Sequence, residues 1–312
     1  MQKGYIVEVF RTSGSLKEPL RQGSSLTVGT FDGVHRGHKR LIEFTVKKAR
    51  EKGLKSLVLT FEPHPVYVLR PEIEVERIAL PEEKIQRLSK FGLDYLLILN
   101  FNTKLANFTA MRFFSDILIG DLNARFIALG YNHTFGKNRE GNLEFLKQIA
   151  PDRGVEVSEV EPFYMDQKPV SSSRIRSALK EGDMEKANGM LNEPFRLPGV
   201  IVKGKGLGHD LGFPTINVKV DEGKLIPRPG VYAATCEIGE KDYKGMMYIH
   251  PQPENCDLEV NLFEFEGTIY DQRAVVVPRE FTREPIKFDN YEDLKKRLAL
   301  DEKEIKHYFG IE

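Results

Sequence analysis

The chain has 312 residues, 40% of them hydrophobic, and its 46 basic side chains are matched by 46 acidic ones. That length suits two domains, and a net charge of zero gives no global attraction for nucleic acid or for an anionic membrane. No apolar run is long enough to span a bilayer, the first ten residues lack a secretory core, and the two cysteines, Cys236 and Cys256, form neither a metal pattern nor a disulfide framework. A cytoplasmic protein with no nucleic-acid or membrane partner is expected.

A lead-in strand is predicted over Tyr5–Phe10, followed by a polar loop. From there to about residue 160, apolar strands alternate with helical patterns. The strands are Ser25–Val28, Ser56–Phe61, Tyr95–Leu99, Arg125–Leu129 and Val155–Val160. The helices are His38–Lys52, Pro81–Phe91, Ala110–Ile119 and Leu143–Ala150. Such alternation with short loops predicts a parallel, doubly wound sheet whose ligand lies beyond the carboxyl ends of the strands. Three loops fall at that edge: Val28–His38, Thr60–Pro65 and Gly130–Gly136.

Ser171-Ser172-Ser173-Arg174-Ile175-Arg176 then opens a helix, and a second short helix covers Met184–Leu191. After Pro194 the texture changes to short alternating segments separated by glycine and proline: Gly199–Lys203, Thr215–Val220, Gly230–Glu237, Lys244–Ile249, Leu258–Phe265 and Arg273–Val277. This pattern predicts an antiparallel barrel or sandwich. Helical segments Tyr291–Leu300 and Glu302–Phe309 close the chain. A boundary between 186 and 195 gives domains 1–186 and 187–312. The front part is mildly basic and the back part mildly acidic, which fits an N-terminal polyanion site and equally fits scattered surface charge.

The chemistry concentrates in a few stretches. Gly29 and Gly33 permit a sharp turn after the first strand, and the following helix start offers free N–H groups to phosphate. His35 and His38 add side-chain donors at the same place. His64, between two prolines, fits a rigid turn almost as well as a ligand contact, and His133 is evenly balanced between structural and binding roles. In the back part, Gly204 and Gly208 fit a backbone loop over phosphates or a plain β-turn. Thr215 and Asn217 point to one face of a strand and together can hold a magnesium ion. Glu259 lies in an alternating strand, where it is either an exposed carboxylate or a base.

In this order, Thr27–His38, Thr60–Pro65, Gly130–Gly136, Ser171–Arg176 and Leu211–Asn217 resemble the signature of the bifunctional bacterial riboflavin kinase/FAD synthetases. The resemblance implies a Rossmann-like N-terminal nucleotidyltransferase domain with a parallel sheet. It implies a C-terminal antiparallel riboflavin-kinase β-barrel with a terminal helix. The implied reactions are riboflavin plus ATP to FMN, and FMN plus ATP to FAD and pyrophosphate, with Mg²⁺ accompanying ATP. Riboflavin, FMN and ATP are then the small-molecule partners.

The same resemblance implies residue roles. His35 and His38 donate to the α-phosphate, with Gly29, Phe31 and Gly33 around ATP. Ser172, Ser173 and Arg176 hold the leaving phosphates. His64 and Asn132 face the flavin, and Asn132 stands where the family usually carries aspartate. In the barrel, Gly204 and Gly208 cover phosphates, Thr215 and Asn217 bind Mg²⁺–ATP, Glu259 is the base and Arg283 lies on the flavin side. The chain departs from the family at Gly208-His209, where Gly-Arg is usual. It departs again at Ile249-His250-Pro251-Gln252-Pro253-Glu254, where Ile-Gly-x-Arg-Pro-Thr is usual. Both changes remove arginine, so a weaker kinase is expected. The alternatives are a monofunctional FAD synthetase with an inactive barrel, a nucleotidyltransferase for another phosphorylated acceptor and a nucleic-acid module. The last lacks a basic strand face interleaved with aromatics.

Overall fold

The computed structural model describes residues 7–73, 75–204, 208, 211–251, 257–265, 267 and 269–311. The chain packs as two compact units, one ending at Ser172 and the other beginning at Ser173.

In the first unit, strands β1 (Glu8–Phe10), β2 (Ser24–Val28), β3 (Lys55–Glu62), β4 (Tyr95–Asn100), β5 (Ala124–Gly130) and β6 (Glu156–Val160) form one sheet in the order β1-β4-β3-β2-β5-β6. Every pairing in it is parallel. Side-chain alternation builds two cores, one on each face. Leu57, Leu59, Leu97, Leu99, Ile127 and Leu129 face one way, toward Phe113, Phe114, Leu118 and Leu146. Val58, Leu96, Ile98, Phe126 and Ala128 face the other, toward Leu41, Ile42 and Val46 of helix α1 (Arg36–Lys52) and toward Leu88. Strand order reverses at β2, whose neighbours are β3 and β5. The crevice beyond the carboxyl ends of β2 and β5 is therefore the switch point at which such sheets bind ligands.

The helices on the first unit differ from prediction in detail. Helix formation after Ala110–Arg112 continues as a π-helix over Phe113–Asp121 instead of an α-helix to Ile119. Phe113 and Leu118, five residues apart, are both buried, and the wider π turn matches that spacing. The short helix α2 (Pro65–Leu69) follows the predicted loop Thr60–Pro65. Helix α3 (Pro81–Ser89) stands where predicted. The hairpin β7 (Tyr164–Met165) and β8 (Lys168–Pro169) completes the strands of this unit.

In the second unit, β9 (Leu197–Val202), β10 (Ile216–Val220), β11 (Gly230–Ile238), β12 (Lys241–Ile249), β13 (Leu258–Leu262) and β14 (Arg273–Arg283) close into a barrel in the order β10-β13-β12-β11-β14-β9. All its pairings are antiparallel. Val218, Leu258, Val260, Met247 and Ile249 share one face by register and are fully buried, as befits the filled interior of a small barrel. On the opposite face, Val231, Ala233 and Met246 pack with Leu298 and Ile305 of the C-terminal helix and with Phe309 at its end. That helix runs unbroken over Tyr291–Tyr308 instead of as two segments. The polar Asp301 does not interrupt it, because its carboxylate is fully buried against Arg283 (2.6 Å) and Arg297 (2.7 Å).

Candidate functional site

The first candidate site follows β2. The backbone turns left-handed at Phe31 (φ 51°), Gly33 (φ 78°) and Val34 (φ 45°). Only glycine adopts such a conformation without strain, which accounts for Gly33. Buried Asp32 pins this turn: its carboxylate accepts from the backbone N–H groups of Ile78 and Ala79 at 3.1 Å. Arg87 of α3 donates to Gly33 O at 3.1 Å, and Ser172 Oγ donates to Asp32 O at 3.1 Å. Gly29 and Phe31 are in close approach, since a Cβ on Gly29 would stand 3.1 Å from the Phe31 ring.

His35 is the N-cap of α1. Its Nδ1 accepts the His38 N–H at 3.2 Å, the task usually done by serine or aspartate, so its proton sits on Nε2. The helix therefore begins at Arg36, two residues before its predicted start. The His35 and His38 rings stack with centroids 3.6 Å apart, and Phe31 meets His38 edge-on at 5.0 Å. Burial lowers His35 to about 4. Burial, with the charges of His35 and Lys84, also holds His38 well below the ordinary imidazole range. Both rings are neutral at physiological pH. Buried His38 Nδ1 has no partner among the described residues.

Behind the pair, the buried Lys84 ammonium lies 3.3 Å from Thr60 Oγ1 and Phe61 O and 3.4 Å from Thr30 O, tying together the ends of β2 and β3. Arg77 grips Glu62 with two bonds, at 2.7 and 2.9 Å. Asp32, Lys84, Arg87, Glu62 and Arg77 were not singled out from sequence. The charges on Pro81–Ser89 look like a solvated helix face, and only the fold turns Lys84 and Arg87 inward.

His64 and Asn132 follow the carboxyl ends of β3 and β5. His64 caps α2, its Nδ1 accepting from Val66 N at 3.3 Å. Asn132 is exposed just after β5. Ser173 and Arg176 lie on the helix Ser172–Glu181, in the second unit.

The second candidate site is a row across the outer face of the barrel. Asn217 of β10 stands opposite Glu259 of β13, which stands opposite Tyr248 of β12. Tyr248 in turn pairs with Val231 of β11, and Val231 pairs with Arg283 of β14. The row sets Asn217 beside Glu259, with Arg283 three strands further along. Thr215 Oγ1, just before β10, donates to Glu259 Oε2 at 3.4 Å, and His250 Nε2 donates to Oε1 at 3.2 Å. Tyr248, between Glu259 and Arg283, has its hydroxyl pKa raised by burial. Arg283 gives its guanidinium to buried Asp301, so it anchors the C-terminal helix.

Gly204 is required here by close approach. A Cβ on it would stand 2.2 Å from Asn217 Nδ2. Gly208 likewise lies against Thr215, with 3.1 Å from an added Cβ to Oγ1. Both glycines therefore lie against the side chains of Asn217 and Thr215. Predictions involving Tyr5, Lys205–Leu207, His209 and Gln252–Cys256 lie outside the described residues.

Residues 17–174 match the FAD synthetase family model, and residues 191–309 match the riboflavin kinase family model. The chain belongs to the bifunctional riboflavin kinase/FAD synthetase family. It is 32% identical to the bifunctional riboflavin kinase/FMN adenylyltransferase of Escherichia coli K12, covering 98% of this chain and 99% of that protein. It is 33% identical to the protein of the same name from Bacillus subtilis 168, covering 92% and 93%. A crystal structure of a macrolide-efflux protein from Streptococcus pneumoniae shares the fold, with a TM-score of 0.83 and 29% identity over 95% of this chain and 97% of that one. Among the described residues here, no helix is long and apolar enough to cross a membrane. For this family member, the Rossmann-like sheet carries the FAD synthetase match and the closed barrel carries the riboflavin kinase match.

Proposed function

We propose that this chain converts riboflavin to FMN and FMN to FAD, using ATP at two separate sites, with residues 1–186 serving adenylyl transfer and 187–312 serving phosphorylation. The observation that carries the kinase half is the direct cross-strand pairing of Asn217 with Glu259, with Thr215 hydrogen-bonded to the same carboxylate.

In the phosphorylation, Glu259 takes the proton of the ribityl 5′-hydroxyl. The freed oxygen bonds to the γ-phosphorus of ATP, and ADP leaves. Thr215 and Asn217 offer hard oxygen donors of the kind Mg²⁺ takes, and the Thr215 hydroxyl can give its hydrogen to Glu259 while its oxygen faces a cation. These two residues would hold Mg²⁺ with ATP. The ion, when bound, supplies charge neutralisation on the phosphates. Gly204 and Gly208 bring the backbone up to the same side chains.

In the adenylyl transfer, the nucleophile is an anionic phosphate of FMN and needs no base. A phosphate oxygen bonds to the α-phosphorus and pyrophosphate leaves. Catalysis is then positioning and charge stabilisation. His35 Nε2–H and His38 act as neutral donors, and the turn through Gly29, Phe31 and Gly33 shapes the phosphate site at the start of α1. Ser172, Ser173 and Arg176 are assigned to the leaving phosphates on motif order. His64 and Asn132 are assigned to the flavin side of this site, and Arg283 to the flavin side of the kinase site, on the same motif order.

The test is metal and base dependence of each half-reaction. Chelation with EDTA should stop both, and Mg²⁺ should restore them. Glu259→Gln should lower FMN formation from riboflavin by about 10²–10⁴-fold and leave FAD formation from FMN intact. Wild-type FMN formation by Glu259→Gln would reject the assignment.

A further inference from the structure

His250, just past β12, meets Glu259 of β13. The strand β12 ends at Ile249, yet His250 N–H still donates to Asp257 O at 3.2 Å, holding its backbone beside the start of β13. Tyr248 is opposite Glu259, so His250, two residues further along the same face, is the diagonal neighbour of that carboxylate. Its Nε2 lies 3.2 Å from Glu259 Oε1. A carboxylate only accepts, so Nε2 carries the hydrogen. The ring is held edge-on by Tyr248, with centroids 4.8 Å apart.

We propose that His250 is a positioning residue for the phosphorylation step, and that it divides the two oxygens of Glu259 between separate tasks. Oε1 is fixed by His250. Oε2 meets the Thr215 hydroxyl and is the oxygen left to take the acceptor proton. Both side chains remain partly open, His250 at 27% and Glu259 at 34%, so an acceptor hydroxyl can approach. When the acceptor O–H breaks, the proton ends on Oε2 while the new O–P bond forms and the bond to ADP breaks. Oε1 keeps its hydrogen bond throughout, so the base does not swing away as its charge is neutralised. His250 thus gives Glu259 a side-chain partner from the neighbouring strand end.

This inference rests on reading Glu259 as the base, and its test separates the two. Full-length His250→Ala, His250→Gln and Glu259→Gln are compared for FMN formation, with the denaturant midpoint of the barrel unit as the control for folding. His250→Ala should lower kcat for riboflavin about 10- to 100-fold, the cost of a misplaced catalytic group, with KM for riboflavin and ATP unchanged. His250→Gln, whose amide nitrogen can donate in place of Nε2, should recover most of that loss. Wild-type kcat in His250→Ala overturns the proposal. So does His250→Gln no better than His250→Ala, which would mark the ring as packing alone. Full kinase activity in Glu259→Gln, by contrast, overturns the base assignment.

Discussion

His35 and His38 stack at 3.6 Å between ring centroids, 15° from parallel, and the His35 ring also caps the helix that carries both. Neither is charged at neutral pH, because burial outweighs any favourable interaction of the imidazolium form. A stacked, desolvated pair held by its own helix start is preorganised, and that is what charge stabilisation in a transition state requires. His38→Ala is therefore expected to lower FAD formation from FMN by ~10²–10³-fold. Riboflavin phosphorylation by the same preparation should be unchanged, and steady-state assays of both half-reactions check this.

The same burial makes the N-terminal unit sensitive to acid. His35 and His133 are each lowered by desolvation to about 4, from an ordinary 6.5. Between those values the unfolded chain takes up protons that the folded unit refuses, so stability is complete above pH 6.5 and falls as pH drops toward 4. Each histidine costs on the order of 3 kcal/mol at pH 4. Thermal unfolding from pH 7 to 4.5 should show a steep loss of Tm, and His133→Phe should flatten it. An unchanged slope in that variant would remove His133 from the account.

Gly204 has a sharper steric role. A methyl group there would overlap the Asn217 amide, at 2.2 Å. Gly204→Ala should push that side chain aside and lower FMN formation by at least about tenfold, with a raised KM for ATP, because misplacing a positioning group carries such costs. FAD formation from FMN should be untouched, and paired kinetics measure both.

Asp301 is fully buried between Arg283 and Arg297. Removing one partner from such a cluster strands the remaining charges, so Asp301→Ala should destabilise the barrel unit by about 3–5 kcal/mol. Denaturant unfolding should resolve this as an earlier transition for one unit only. The accompanying loss of kinase activity should be recovered at lower temperature.

Much of the fold is legible in the sequence, because period-two and period-three-to-four patterns translate directly into strands and helices. The parallel sheet follows from alternation around Leu57–Leu59 and Leu96–Leu99, and the barrel from short segments cut by glycine and proline. The π turn over Phe113–Asp121 was not legible, since its five-residue spacing coexists with an α pattern. Of the candidate sites, the glycine turn with His35 and His38 and the Thr215–Asn217 pair could be found because residue type and spacing both carry chemistry. Lys84, Asp32 and Arg87 could not, because the backbone atoms they bind are remote in sequence. His250 read as a loss, since its meaning depends on register with Glu259, which only strand pairing supplies.

The central claim is that one chain carries two working sites in series. Incubation of the full-length protein with riboflavin, ATP and Mg²⁺, with flavins separated chromatographically over time, tests it most directly. The account predicts that FMN appears first and FAD follows, with FAD also formed when FMN is supplied instead. FAD from FMN, with no FMN or FAD from riboflavin, would contradict it and leave a folded barrel without kinase chemistry.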